Sequence, residues 1–162
     1  MGSFQSLTAV VQTMGGVTVD VPQVMIDPYS ASNMQPGPQV LGPEQALAFS
    51  RNRRSLSDGD IGRTRNQTRL MLAALSQLQT AGLRDIRPVM DVVGTLREHT
   101  ASNIPHGEML PLAMTALAIP AEHIEHITLS GPFGFIGPAS VVHVRPGDTF
   151  QRLSAGQIGP QS

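Results

Sequence analysis

The chain has eleven arginines and no lysine, and six of the arginines lie between Arg51 and Arg69. Only two carboxylates, Asp58 and Asp60, oppose them in that segment. A guanidinium group can donate two parallel hydrogen bonds to a phosphate, which a lysine ammonium group cannot do. The segment therefore predicts a phosphate-binding site. Its composition also fits a solvated surface in which the aspartates pair with neighbouring arginines, and composition alone leaves both interpretations open.

A helix predicted to begin near Gly59 would carry two of these polar groups on one face. Arg63 and Gln67 are four residues apart and therefore lie on the same side of the helix. That side continues in apolar residues: Leu70, Ala74 and Leu78. An arginine beside a buried surface is costly unless an anion meets it, and the N-terminal end of a helix favours phosphate. The other arginines nearby fit a solvated surface better: Arg54, Arg65 and Arg69.

The rest of the sequence predicts the elements that position this segment. Helical periodicity indicates helices over residues 4–14, 43–49, 59–80, 87–99 and 108–118, and a short one over 148–153. Strand patterns cover residues 17–21, 123–129 and 140–145, with the glycine- and proline-rich Gly131–Pro138 between the last two. Four prolines and two glycines in residues 27–43 predict a long loop. Helices interleaved with a few strands make the fold class α/β.

Composition excludes several kinds of chemistry. The chain has no cysteine, which excludes disulfides, thiolate catalysis and zinc–cysteine sites. No apolar run is long enough to predict a membrane span. A net charge of −1, one tyrosine and no tryptophan argue against a nucleic-acid partner. The histidines lack metal-ligand spacing: His99, His106, His123, His126 and His143.

Three segments of the sequence carry motifs in a fixed order. Arg51-Asn52-Arg53 is followed by Asp60-Ile61-Gly62-Arg63 and, four residues later, by Gln67, and Gly15–Pro22 and Leu41–Leu47 lie upstream. The first run resembles the signature of the LytR-CpsA-Psr family of cell-envelope phosphotransferases, which is R-x-R, then D-x-G-R, then a glutamine. Gly15–Pro22 resembles the family's GGV strand, and Leu41–Leu47 resembles its L-x-G-x-x-A-L element. Three elements in the same order make a much more specific signal than any one of them.

The resemblance extends more loosely to Ser140–Leu153, and it has one departure. Many members have an arginine followed by two glutamines where this chain has Asn66-Gln67-Thr68. Because Asn66 carries no charge, we expect the protein's affinity for phosphate or its range of substrates to differ from that of other family members.

The resemblance implies a fold in which helices pack around a small mixed central sheet in an α/β/α arrangement. Residues 1–155 would form the later part of this catalytic domain, incomplete on its N-terminal side, and residues 156–162 a polar tail. The chain begins without a signal-peptide pattern and enters a helical stripe at once. We therefore expect the family's earlier strands and its membrane anchor to be encoded upstream of Met1.

The resemblance also implies an activity at the extracytoplasmic face of the cell membrane. A glycopolymer would move from a polyprenyl-pyrophosphate carrier to peptidoglycan and leave a phosphodiester link. Arg51, Arg53 and Arg63 would be catalytic, because they clamp the pyrophosphate and stabilise the charge that develops. Gln67 would orient a phosphate oxygen, and Asp60 would position Arg63. Magnesium would bridge phosphate oxygens through ligands outside this chain, so the chain alone should bind weakly and have little or no activity.

A non-enzymatic function is the alternative. The arginine segment would then bind polyprenyl phosphate without transferring it, or it would serve a regulatory module of the transcriptional-attenuator kind. Near-neutral charge and few aromatic residues argue against contact with nucleic acid. A steep loss of DNA binding with increasing salt would support that contact.

Overall fold

The computed structural model describes residues 4–57, 59–120, 123–124, 133–137, 139–142 and 155. The chain divides into two compact units, Met1–His123 and Ile124–Ser162. The described residues of the first unit form α1 (Phe4–Thr13), β1 (Val17–Val21), β2 (Met25–Asp27), β3 (Ser32–Met34), β4 (Gly37–Leu41), α2 (Pro43–Arg51), α3 (Asp60–Gly82), α4 (Arg87–His99) and α5 (His106–Leu117). Those of the second unit form β5 (Phe133–Ile136) and β6 (Ala139–Val142).

Two glycines end α1 and turn the chain into β1, as the sequence predicted. Gly15 and Gly16 have φ values of +70° and +106°, which side chains with a Cβ rarely adopt. Their N–H groups donate to Gln12 O and Val11 O, each over 3.0 Å. These bonds satisfy carbonyls at the end of the helix that would otherwise lack a partner.

The core of the first unit lies between β1 and the helices that cover it. β1 buries alternate residues, as predicted, and pairs antiparallel with β4, so that Val17 lies opposite Leu41. Helix α3 packs on β1 and α2 packs on β4, and α2 also packs on both α1 and α3. The buried apolar cluster consists of Val11, Val17, Val19, Val21, Met25, Met34, Leu41, Ala46, Ala48, Phe49 and Leu70.

The long loop predicted over residues 27–43 was wrong. The segment contains β3 and β4 and the end of β2, and β2 pairs antiparallel with β3, with Met25 opposite Met34. These strands are only three to five residues long, and prolines and glycines lie between them and within β4. No run of alternating residues was therefore long enough to mark them. The β2–β3 hairpin forms one wall of the site described below.

The second unit contains one described pair of strands. β5 and β6 pair antiparallel, with Phe133 opposite Val142. β6 confirms the start of the strand predicted over 140–145, whereas β5 lies in the predicted connection Gly131–Pro138. Residues 123 and 124 are not in a strand. The remaining predictions, a strand over 125–129, a helix over 148–153 and a polar tail over 156–162, fall outside the described residues.

The expected α/β class is confirmed. Where the resemblance implied a small mixed sheet, the strands of the described residues form three antiparallel pairs. Short connections join β2 to β3 and β5 to β6, and a short connection can join only antiparallel neighbours. None of the described helices combines the length and apolar character that crossing a bilayer requires.

The paired glycines give a test of the turn after α1. A Cβ added to Gly16 would lie 2.9 Å from Val40 Cγ1 and 3.3 Å from Leu41 O, whereas one added to Gly15 would meet no atom within 4 Å. Gly15→Ala should therefore cost only the backbone strain, about 1–2 kcal/mol. Gly16→Ala should cost about 1–3 kcal/mol more through overpacking. Denaturant unfolding of both variants measures the difference, and equal losses would contradict the packing at Gly16.

Candidate functional site

A cleft of about 300 Å³ opens where the end of α2, the β2–β3 hairpin and the start of α3 approach one another. Its lining is polar and basic: Phe4, Asp27, Tyr29, Ser30, Ser50, Arg51, Arg53, Arg54, Arg63 and Gln67. The structure therefore brings together Arg51, Arg53, Arg63 and Gln67 as the sequence predicted. Asp60, the fifth predicted residue, is paired with two of these arginines.

The end of α2 spreads the first arginines around the cleft. Arg51 is the last helical residue, and the Asn52 N–H still donates to Ala48 O at 3.0 Å. Asn52 then takes φ −59° and ψ 130°, which ends the helix. Arg53 and Arg54 follow in a turn, so neighbouring arginines leave the backbone from two different conformations and not from a single helix. Because the chain changes direction after α2, Arg51, Arg53 and Arg54 all line the cleft.

Asp60 holds two of the guanidinium groups. Its Oδ1 lies 2.8 Å from Arg63 Nη2 and 3.9 Å from Arg53 Nη1. All three side chains are substantially exposed, so these pairs contribute little to folding stability. Their effect is to place the two arginines near each other. The contact with Arg63 puts Asp60 where it could position that arginine, and the role itself stays a prediction.

One nitrogen of Arg63 differs from the rest of that side chain. Arg63 Nε is buried and has no hydrogen-bond partner within the described part of the chain. Buried donors without a partner are uncommon in folded proteins, and each needs an explanation. In a cleft lined by arginines, an anionic ligand would satisfy this donor.

Two aromatic rings support the other arginines. The Arg51 guanidinium carbon lies 5.4 Å from the centre of the Phe4 ring, and that of Arg54 lies 3.6 Å from the centre of the Tyr29 ring. A cation over an aromatic face is stabilised by about 0.5–1 kcal/mol at exposed sites. Stacking uses the face of the guanidinium, so the N–H donors at its edge remain available for an anion.

In the first turns of α3, the core-facing side lies one residue away from the side that the sequence predicted, whereas Leu70 is buried as predicted. The buried residues of α3 are Gly62, Asn66 and Leu70. Neighbouring positions on a helix differ by about 100°, so Arg63 and Gln67 lie at the edge of the buried face. Gln67 is exposed, and its Nε2 donates to Ser50 O at 3.2 Å. Apolar periodicity could not mark a buried face made partly of glycine and asparagine.

The residue that departs from the family pattern faces the core and not the cleft. Asn66 is 0% exposed, its Nδ2 lies 4.0 Å from Met25 Sδ, and its Oδ1 accepts from Arg69 Nη1 at 3.3 Å. Arg65 and Arg69 are exposed and lie outside the described cleft lining, as predicted. Arg54, which the sequence assigned to solvated surface, lines the cleft.

Sequence reasoning missed the wall formed by the β2–β3 hairpin. Asp27 is only 3% exposed. Its Oδ1 accepts from the Tyr29 N–H at 3.0 Å, and its Oδ2 accepts from the Ser30 hydroxyl at 3.1 Å. An aspartate that accepts from the backbone two residues later is a known turn signature, and Asp27-Pro28-Tyr29-Ser30 could have been recognised as one. Only the tertiary structure shows that this turn faces the arginines.

The described residues contain no group of three or more histidine, cysteine, aspartate or glutamate side chains that could hold a metal ion. Of the five histidines, His126 and His143 lie outside the described residues.

The model of the LytR_cpsA_psr family matches residues 2–153, and the chain belongs to that family. A similar protein is the polyisoprenyl-teichoic acid–peptidoglycan teichoic acid transferase TagV of Bacillus subtilis (strain 168). It is 24% identical over 151 residues, which cover 90% of this chain and 38% of TagV. The cell wall biosynthesis protein LcpA of Corynebacterium glutamicum is 33% identical over 69 residues, which cover 43% of this chain and 13% of LcpA. The chain thus spans well under half the length of these relatives.

Solved structures show the same fold. The crystal structure of Bacillus subtilis TagV superposes with a TM-score of 0.75 at 23% identity, over 96% of this chain and 60% of that one. A LytR-Csp2A-Psr enzyme from Actinomyces oris gives a TM-score of 0.72 at 24% identity, over 95% and 61% of the two chains. TagT bound to LI-WTA gives 0.69 at 20% identity, over 96% and 56%. By their names, TagV is a teichoic acid transferase and LcpA is a cell wall biosynthesis protein.

The ion pairs of Asp60 lead to a prediction about charge. Asp60→Asn removes a carboxylate that competes with an anionic ligand for Arg63 and Arg53. We expect the variant to bind inorganic pyrophosphate about two- to fivefold more tightly at low salt, the range that exposed ion pairs allow. Isothermal titration calorimetry at low ionic strength measures this affinity.

Asp85→Asn is the matched control for this prediction. Asp85 pairs with Arg87 over 2.7 Å, and neither residue lines the cleft. The control makes the same change in net charge, so its affinity for pyrophosphate should stay unchanged. Weaker binding by Asp60→Asn alone would instead mean that holding Arg63 in place outweighs the competition.

Proposed function

We propose that this chain supplies the pyrophosphate-binding part of a transferase that moves a glycopolymer from a polyprenyl-pyrophosphate carrier onto peptidoglycan. The observation that carries the proposal is the convergence of four arginines on one cleft, with a buried Arg63 Nε that lacks a partner in the described structure. Membership of the LytR-CpsA-Psr family and the name of the relative TagV give the proposal its substrates.

The charges of the cleft suit a pyrophosphate esterified at both ends. Four arginines line the cleft, and two carboxylates of the described residues, Asp27 and Asp60, lie among or beside them. Within the described part of the chain, two positive charges are therefore left without a carboxylate. Each phosphate of a pyrophosphate diester keeps one negative charge at neutral pH, so the ligand would match this surplus. Several separate guanidinium groups also suit a ligand whose charge is spread over two phosphates.

The proposed product determines which bond must break. A phosphodiester between the glycopolymer and peptidoglycan retains the phosphate that is attached to the sugar. An acceptor hydroxyl oxygen must therefore attack that phosphorus, and the bond from it to the oxygen that bridges the phosphates must break. The hydroxyl proton is released, and polyprenyl phosphate departs with the bonding electrons.

Arginines at the cleft would act on the charge that this step creates. Negative charge develops on the bridging oxygen and on the departing phosphate. This charge is larger in the transition state than in the bound substrate, so cations placed beside it stabilise the transition state more. Because the cations are already in position, no rearrangement is needed when the charge develops. We assign this catalytic role to Arg51, Arg53 and Arg63. Gln67 keeps one amide hydrogen beyond its bond to Ser50 O, and we assign it to orient a phosphate oxygen.

Magnesium stays a proposal, and the described cleft does not fit it. Both oxygens of Asp27 accept hydrogen bonds, and Asp60 is paired with Arg63. We propose that any magnesium is held by groups outside this chain. Because peptidoglycan lies outside the cell membrane, we further propose that the site works at the extracytoplasmic face.

Replacing individual arginines tests the assignment. Arg53→Ala and Arg63→Ala should each weaken binding of geranyl pyrophosphate by about 1.5–3 kcal/mol, the range for hydrogen bonds to charged groups. Arg65→Ala and Arg69→Ala should change it much less, because both arginines are exposed and outside the cleft. Calorimetric titration of each variant gives the affinities. Geranyl monophosphate, which lacks the second phosphate, is the ligand control.

Melting temperatures decide between binding and folding roles. The cleft variants should keep the melting temperature of the unsubstituted chain, since removing one arginine from a positive cluster relieves repulsion. Equal losses of affinity for Arg63→Ala and Arg65→Ala would mean that the overall positive charge of the segment attracts the ligand without specific contacts. A loss that appears only with a fall in melting temperature would make these arginines structural. Tight binding without release of polyprenyl phosphate by a complete domain would support the non-enzymatic alternative.

A further inference from the structure

The residue between the first two arginines points in the opposite direction from both of them. Arg51 and Arg53 are exposed and line the cleft, whereas Asn52 is 0% exposed. Burying an asparagine is costly unless its amide group finds partners. Its position beneath the arginines therefore needs a structural reason, and its hydrogen bonds supply one.

Asn52 connects the arginine segment to the β2–β3 hairpin. Its Nδ2 donates to Ser32 Oγ on β3 at 2.5 Å and to Ser55 Oγ at 3.1 Å. Its Oδ1 accepts from the Ser55 N–H at 3.3 Å. The Ser55 hydroxyl in turn donates to Ile26 O on β2 at 3.0 Å. The turn that carries Arg53 and Arg54 is thus fixed to the hairpin on both sides of the two arginines.

The same bonds extend to the wall of the cleft. Ser32 Oγ lies 3.1 Å from Ser30 Oγ, and the Ser30 hydroxyl lies 3.1 Å from the Asp27 carboxylate. Asp27 and Ser30 both line the cleft. A buried chain of hydrogen bonds therefore joins the wall of the cleft to the backbone that carries its arginines. Networks of this kind fix one geometry when every member has its partner.

We propose that Asn52 is a positioning residue for phosphate binding. Its buried amide fixes the backbone between Arg51 and Arg53 and so sets where the two guanidinium groups meet the ligand. The inference rests on the proposed function, because it assumes that these arginines bind phosphate. The Asn52 amide both donates and accepts here, so alanine loses all three hydrogen bonds and aspartate loses the donor.

Calorimetric titration of inorganic pyrophosphate into the 162-residue chain tests the proposal. Asn52→Ala should raise the Kd about tenfold, as expected when the bonds of a buried amide are lost. Ser32→Ala removes one partner of Asn52 and should raise the Kd by a smaller factor. If Asn52→Ala does not fold, Ser32→Ala decides, and an unchanged Kd for that variant would overturn the inference.

Asn66→Ala is the matched control for burial. Asn66 is also 0% exposed, but it faces the core and lies outside the described cleft lining. We expect this variant to melt at a lower temperature while its Kd stays within about twofold of the unsubstituted chain. An equal rise in Kd for Asn66→Ala and Asn52→Ala would show that general destabilisation weakens binding, and it would contradict the positioning role of Asn52.

A double-mutant cycle separates positioning from a purely structural effect. If Asn52 acts through Arg53, Asn52→Ala should weaken binding much less in a chain that already carries Arg53→Ala. Full additivity of the two losses would overturn the inference and leave the proposed function intact. Failure of the unsubstituted chain to bind pyrophosphate would overturn the proposed function, and the positioning role with it.

Discussion

Repulsion between guanidinium groups is the constraint on which the rest of the cleft depends. Four arginines line a cavity of about 300 Å³, and the two carboxylates that the described structure places beside them balance only part of their charge. The arginines are held by partners of two kinds. Asp60 pairs with Arg63 and Arg53, whereas Phe4 and Tyr29 support Arg51 and Arg54 through their ring faces. The rings stabilise cations without neutralising them, so the cleft keeps the positive charge that an anion would meet.

The arginines do not hold the fold together, and this separation explains how a repulsive cluster can be tolerated. The buried core of the first unit consists of apolar side chains and contains none of the arginines. Neutral groups fix the backbone at the cleft: Asn52 bonds to Ser32 and to Ser55, and Gln67 joins α3 to the end of α2. Neutral amides and hydroxyls can be buried at a lower cost than charged groups when their bonds are complete.

All the residues of the cleft lie between Phe4 and Gln67, within the first compact unit. Helix α3 begins at the cleft and extends into the core, where Leu70 packs against the strands. The helix therefore couples the two regions: packing fixes its direction, and its first turns carry Asp60 and Arg63. Solved structures below 25% identity share this fold over most of this chain. The elements that carry the arginines are also the elements that form the core.

The sequence alone determined the family, the α/β class, most helices and three of the four arginines that line the cleft. These features depend on local properties: glycines that end α1, alternation in β1, periodicity in α3 and α4, and the spacing of Arg51, Arg53, Arg63 and Gln67. It did not reveal the short strands β2, β3 and β4, because three to five residues carry too little pattern. It also placed the buried face of α3 one residue away, since Asn66 is polar and yet buried.

Only the tertiary structure decided which polar residues surround the arginines. Asp27, Tyr29 and Ser30 are distant in sequence from Arg54, and the β2–β3 hairpin brings them to it. Likewise, nothing in the spacing of Arg51-Asn52-Arg53 shows that the middle residue is buried. Its direction depends on where α2 ends and on the hairpin beneath it. Spacing along the chain specifies which residue types can meet, whereas packing between elements specifies which of them do.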